Sequence, residues 1–177
     1  MYYKLKYSSL IQLTKKNSVL YLKGPLGINK LKIPQEVKVI LGNQNRILIG
    51  SDNKSKKIAN RIASILRLFL NSCYGLVFGH ITMLNLQGLG LKFLELNPVS
   101  TITSNQCLSM TLGYANPINF FINLDCLICF FKDNRNVYFY STDYSYLSNQ
   151  SVKLRLLKRP NKFHKRTAGL YYLNNFI

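Results

Sequence analysis

Val37-Lys-Val-Ile, a turn, then Ile47-Leu-Ile-Gly-Ser-Asp52 is the stretch that decides the fold, because the chain writes it twice. Its second copy is Leu127-Ile-Cys-Phe, a turn, then Tyr138-Phe-Tyr-Ser-Thr-Asp143, at an offset of about 90 residues. Each copy reads as strand, turn, strand, and each ends in an aspartate placed to cap a following helix. A duplicated module of antiparallel strands with one helix is the expectation, so the fold class is α+β.

Working outward, Ser18 to Lys23 alternates as a strand, and Gly24-Pro25-Leu26-Gly27 supplies turn residues. Strands are expected at Ile28 to Ile33, Val37 to Leu41 and Arg46 to Ile49, with Gly42-Asn43-Gln44-Asn45 turning the last pair. The period then changes. Ile58, Ile62, Ile65, Leu66, Phe69 and Cys73 fall on one face of a helix that Ser51 or Asp52 caps and Gly75 ends. The second half repeats the order. Strands are expected at Ile81 to Leu86, Leu91 to Leu96, Leu108 to Leu112, Asp125 to Phe131 and Val137 to Tyr140, then a helix from Tyr144 to Leu157. The expected organisation is a first module over 1–79, a second over 80–159, and a basic, aromatic C-terminal arm over 160–177.

Charge points to the partner. The chain has 24 Lys and Arg against 6 acidic residues, a formal net charge of +18, and 47% hydrophobic residues, enough for a core. After Asp143 there is no acid, while Lys153, Arg155, Lys158, Arg159, Lys162, Lys165 and Arg166 follow, interleaved with Phe163, Tyr171 and Tyr172. A solvated surface mixes both signs, whereas one-signed charge near a chain end meets a polyanion. Aromatic residues carried through the run suit base stacking or ribose contact beside phosphate-binding cations. RNA is the expected partner. Anionic membrane or an acidic protein partner is the competing sink.

Other chemistries find little support. A spanning helix needs about 20 nearly uncharged apolar residues. The best candidate, Ile62 to Leu86, is interrupted by Arg67, Asn71, His80 and Asn85, and the Phe120 to Phe131 run is short and contains Asp125. Cys126 and Cys129 form a C-x-x-C, but no second ligand pair accompanies them, and His80 and His164 stand alone. They read as core cysteines on a buried strand. The carboxylates are scattered, with no pair spaced for acid–base work, and Gly88-Leu89-Gly90 is too short for a dinucleotide fingerprint. We expect no enzyme, no cofactor, no metal, no small-molecule substrate and no membrane span.

Four segments, in order, resemble the bacterial-type large-subunit ribosomal protein L-six family. Leu22-Lys-Gly-Pro-Leu-Gly27 is similar to its "KGPKG" turn, and Leu70-Asn-Ser-Cys-Tyr-Gly-Leu-Val-Phe-Gly79 to its "LNSMVIGVTEG" helix exit. Leu84-Asn-Leu-Gln-Gly-Leu-Gly-Leu-Lys92 resembles "LQLVGVGYR", and Leu108-Ser-Met-Thr-Leu-Gly-Tyr-Ala-Asn-Pro-Ile118 resembles "LSLGFSHPV", with Asn116 in place of the histidine. The C-terminal signature "RRPEPYKGKGIRY" reads here Lys158-Arg-Pro-Asn-Lys-Phe-His-Lys-Arg-Thr-Ala-Gly-Leu-Tyr-Tyr172; Pro160 and Gly169 hold their places, Phe163 replaces the tyrosine and a glycine is lost.

The resemblance implies two tandem α+β modules, no enzymatic activity, and binding to large-subunit rRNA near the sarcin–ricin region and the base of the factor-binding stalk, beside neighbouring ribosomal proteins. It places Lys158, Arg159, Lys162, Phe163, His164, Lys165 and Arg166 in an RNA-contacting arm, to which charge and aromaticity add Lys153 and Tyr171, with Asn116 as a neutral donor and acceptor. The composition favours Asn, Lys, Ile, Leu, Phe and Tyr, residues of AT-rich codons, and no Arg-rich leader is evident before Arg46. A mitochondrial ribosome, with the protein encoded in the organelle, is the expected setting.

Overall fold

The computed structural model describes residues 2–42, 45–53, 55–98, 105–123, 127–160 and 168–173. The chain forms two compact units, Met1–Gly79 and His80–Ile177.

In the first unit the strands are β1 (Tyr2–Lys6), β2 (Gln12–Lys16), β3 (Val19–Gly24), β4 (Gly27–Lys32), β5 (Lys38–Gly42) and β6 (Arg46–Gly50), followed by helix α1 (Lys56–Val77). They make two antiparallel sheets, ordered β1-β6-β5 and β2-β3-β4. Alternation drives this. Leu20, Leu22, Leu31, Ile47 and Ile49 turn inward, and Ile58, Ile62, Ile65, Phe69 and Leu76 of α1 meet them in one core. Each such fully buried side chain contributes about 1.5–3 kcal/mol relative to exposure.

The second unit repeats the order strand for strand. It has β7 (His80–Gln87), β8 (Lys92–Pro98), β9 (Asn105–Thr111), β10 (Ile118–Asn123), β11 (Ile128–Asp133), β12 (Asn136–Ser141) and α2 (Tyr144–Leu157), then one added strand, β13 (Gly169–Tyr172). The sheets are β10-β9-β8 and β11-β12-β7-β13. β7 thus takes the place of β1, β8 to β10 that of β2 to β4, and β11 and β12 that of β5 and β6. Leu84, Leu86, Phe93, Leu108, Met110, Val137 and Phe139 form the core, joined by Leu147 and Leu154 of α2 and by Leu170 of β13.

Four expectations are corrected by the geometry. Each unit holds two small sheets, since β1, β2 and β10 escape the sequence pattern. Helix α1 is capped by Ser55, whose Oγ accepts from the Ile58 N–H at 3.4 Å, while Asp52 accepts from the Tyr2 hydroxyl at 2.6 Å and pairs with Lys38. The helix also runs past Gly75 to Val77, because Gly79, at φ 78°, supplies the left-handed residue that lets the chain leave. Finally, the repeat runs at a constant register. Ile47, Ile49 and Ser51 are buried like Val137, Phe139 and Ser141, so Ser51 matches Ser141 and Asp52 matches Thr142 rather than Asp143. A one-residue slip would have exchanged the inner and outer faces of the strand. Ser51 and Ser141 do the same work: their Oγ atoms accept from Asn53 N–H at 3.3 Å and Asp143 N–H at 3.1 Å. Asp143 does cap α2, accepting from the Ser145 N–H at 2.9 Å.

Candidate nucleic-acid interface

Helix α2 packs through Leu147, Ser151 and Leu154, which recur at helical spacing, and its opposite side carries the exposed Lys153. The helix ends at Leu157, and the chain passes through Lys158, Arg159 and Pro160. It comes back to the same place. The Lys158 carbonyl accepts from the Leu170 N–H at 3.0 Å. A Cβ on Gly169 would lie 2.8 Å from Pro160 Cα and 3.0 Å from the Lys158 oxygen, so only a glycine fits the return. Beyond it, β13 pairs with β7 in the register Leu170↔Leu86 and Tyr171↔Asn85. Residues 169–172, which lie within the segment assigned to the C-terminal arm, are therefore a strand of the sheet.

Two cations are seated on aromatic rings at this end of the unit. The Arg155 guanidinium lies 5.0 Å from the centre of the Tyr172 ring, and the Tyr172 hydroxyl is 3.4 Å from the buried Ser151 Oγ. The Lys158 ammonium lies 4.9 Å from the centre of the Tyr114 ring. Tyr114 sits on the bend before β10, and its hydroxyl donates to the Leu157 carbonyl at 3.4 Å. Ring contacts of this kind contribute about 0.5–1 kcal/mol at exposed sites and leave the charge in place. They orient a cation without neutralising it, which is what a phosphate-binding side chain requires. Arg155 also stands in the last turn of α2, where the helix dipole favours a positive group. Among the described residues the ion pairs are Lys38–Asp52 and Arg61–Glu36, both in the first unit, so neither Arg155 nor Lys158 pairs with a described acid.

The sequence-derived candidates fall into three groups. Lys158 belongs to this cluster. Lys153 and Arg159 are exposed nearby along the chain, and Asn116 is exposed on the bend that carries Tyr114. Tyr171 is half-buried and points to the opposite side of the sheet from Leu170, as successive strand residues must. Lys162, Phe163, His164, Lys165 and Arg166 lie outside the described residues. Sequence reasoning left Arg155, Tyr114 and Tyr172 out of the site. The place of Arg155 in the last turn of the expected helix, within the one-signed run, was a signal available for it. Nothing in the sequence announced Tyr114.

The C-x-x-C is placed only in part. Cys129 is on β11 in the core, and burial pushes its thiol up to about 12, so no thiolate is available at neutral pH; Cys126 lies outside the described residues. Burial raises Cys73 likewise to about 12. Among the described residues no three His, Cys, Asp or Glu side chains gather as a metal site. His80 opens β7 with its ring 5.2 Å from that of Tyr144, a packing contact. No helix of the described residues is long and apolar enough to cross a membrane.

No family model matches the chain. Two curated proteins do. Large ribosomal subunit protein uL6 of Mycoplasmoides gallisepticum is 25% identical over 172 residues, covering 96% of this chain and 87% of that protein. Large ribosomal subunit protein uL6 of Karelsulcia muelleri is 25% identical over 169 residues, covering 92% of this chain and 85% of its own length. Each similarity covers more than nine-tenths of this chain, so both reach into the two units.

Proposed function

We propose that this chain is a divergent member of the uL6 family of large ribosomal subunit proteins, a structural constituent of a large ribosomal subunit that binds rRNA and performs no catalysis. The similarity to uL6 proteins over more than nine-tenths of the chain carries the reading, and the charge agrees with it. A net charge of +18 on a chain of 177 residues repels itself unless a polyanion neutralises it. RNA phosphate does so and releases condensed counterions in the process.

The binding element is the end of the second unit. Lys153, Lys158 and Arg159 line the way out of α2, with Arg155 oriented on Tyr172. Lys162, Lys165, Arg166 and His164 add contacts to phosphate, while Phe163 and Tyr171 pack on bases or ribose, and Asn116 offers an amide to phosphate or a 2′-hydroxyl. Recognition of this kind is electrostatic and reads backbone shape more than base identity. The contact region is the sarcin–ricin region and the base of the factor-binding stalk, by the family resemblance. The AT-rich residue usage supports a mitochondrial ribosome and a gene carried by the organelle.

The test is binding of the full chain to a large-subunit rRNA fragment across a potassium chloride series. Replacing Lys162, Lys165 and Arg166 together by Ala weakens binding and lowers the salt slope by about one unit for each phosphate no longer neutralised. A triple variant with the slope of the wild type removes this segment as the binding element.

A further inference from the structure

The outer face of the β2-β3-β4 sheet is a lysine lattice that the α2 end does not include. Strand register makes it a grid of three rows: Gln12, Lys23 and Ile28; Thr14, Tyr21 and Lys30; Lys16, Val19 and Lys32. The alternate positions Leu20, Leu22 and Leu31 fill the core, so these nine residues share the side turned away from it. Neighbours on the grid are about 4.8 Å apart across strands and about 6.7 Å along them. Lys30 lies 5.9 Å from the centre of the Tyr21 ring, and Gln12, Thr14, Lys16, Tyr21, Lys23 and Ile28 line a depression of about 270 Å³.

No acid offsets this face. The acidic residues of the first unit are Glu36 and Asp52, and they are engaged by Arg61 and by Lys38 with Tyr2. The second unit provides an internal comparison, since β8-β9-β10 is the same sheet in the repeat. Its outer positions Cys107, Ser109 and Thr111 on β9 and Asn119, Phe121 and Asn123 on β10 carry no charge, while on β8 the register sets Lys92 opposite Thr111 and the acidic Glu95 opposite Ser109, so no lysine cluster forms. The fold does not need lysines there. Their concentration in one copy is a property of that face.

We propose that the outer face of β2-β3-β4 is a second RNA-binding surface, in which Lys16, Lys23, Lys30 and Lys32 bind the phosphodiester backbone around Tyr21. Four cations spaced at strand distances match a chain of phosphates. Gln12 and Thr14 supply neutral partners for 2′-hydroxyls, and the central ring supplies a surface for a base or ribose. An anionic membrane fits less well, because Ile28 is the one large, fully aliphatic side chain exposed on the grid, too little apolar surface to enter lipid. The proposal stands apart from the α2 end and survives if that end proves not to bind.

The experiment uses the full chain and a fluorescein-labelled hairpin RNA. Acetylation of wild-type lysines, read by mass spectrometry, is compared with and without RNA, and with vesicles of equal phosphatidylcholine and phosphatidylglycerol. RNA is expected to protect Lys16, Lys23, Lys30 and Lys32, and vesicles are not. A variant carrying Lys16→Gln, Lys23→Gln, Lys30→Gln and Lys32→Gln is expected to lose about 3 units of salt slope, and to add to the loss of a Lys153→Gln, Lys158→Gln, Arg159→Gln variant. Unprotected lysines in the wild-type complex overturn the proposal, as does an unchanged slope in the sheet-face variant. Protection by vesicles alone overturns it in favour of a lipid surface.

Discussion

Gly169 and Lys158 carry the local logic of the site. Gly169 reads from the sequence as part of a C-terminal signature that lies close to RNA, yet its missing side chain serves the protein's own chain, which returns there against Pro160 and the Lys158 carbonyl. Gly169→Ala is therefore expected to destabilise the fold by about 1–3 kcal/mol, the usual effect of forcing an extra methyl into a packed site. Urea denaturation checks it, and an unchanged midpoint would mean that the return is not tight. Lys158 was legible as a cation in a one-signed run. Its seat on Tyr114 was not, because Tyr114 and Leu157 are 43 positions apart and only the fold brings them together. Charge can be counted along a sequence, whereas the ring that orients it belongs to another element.

At the scale of elements, strands with one buried face were legible, edge strands such as β4 and β5 among them, and the largely exposed β1 and β2 were not. β3 and β12 alternate between buried and more exposed positions, and α2 spans the residues its periodicity gives. β1 and β2 are exposed along most of their length and pair through backbone hydrogen bonds, which leave no hydrophobic rhythm to read. The helix caps show the same limit. Asp52 and Asp143 look alike in sequence, but Asp52 is drawn to Lys38 and Tyr2, and α1 starts later, at Ser55. Ser55→Ala is expected to cost about 1 kcal/mol and to speed hydrogen exchange at the Ile58 amide, which Ser55 accepts from. Asp52→Ala is expected to leave that amide protected. Equal acceleration in both variants would return the cap to Asp52.

Over the whole molecule, the duplication and the charge explain each other's limits. Two copies of one module give two sheets of like design, and the copies have diverged in what they display: lysines on β2-β3-β4, hydroxyls and amides on β9-β10. The module was legible because buried residues keep its register, and the proposed partner class rests on 24 cations against 6 acids. The sequence singles out only the C-terminal run as a candidate surface, because there the cations are contiguous. On β2-β3-β4 they are separated in sequence and gathered by strand pairing. The most direct measurement of the central claim is sedimentation of the tagged full-length chain from a cell lysate, before and after ribonuclease. The account predicts that it travels with large ribosomal subunits and returns to the top of the gradient once the RNA is digested; a chain already free, or held in a membrane fraction, before digestion would contradict it.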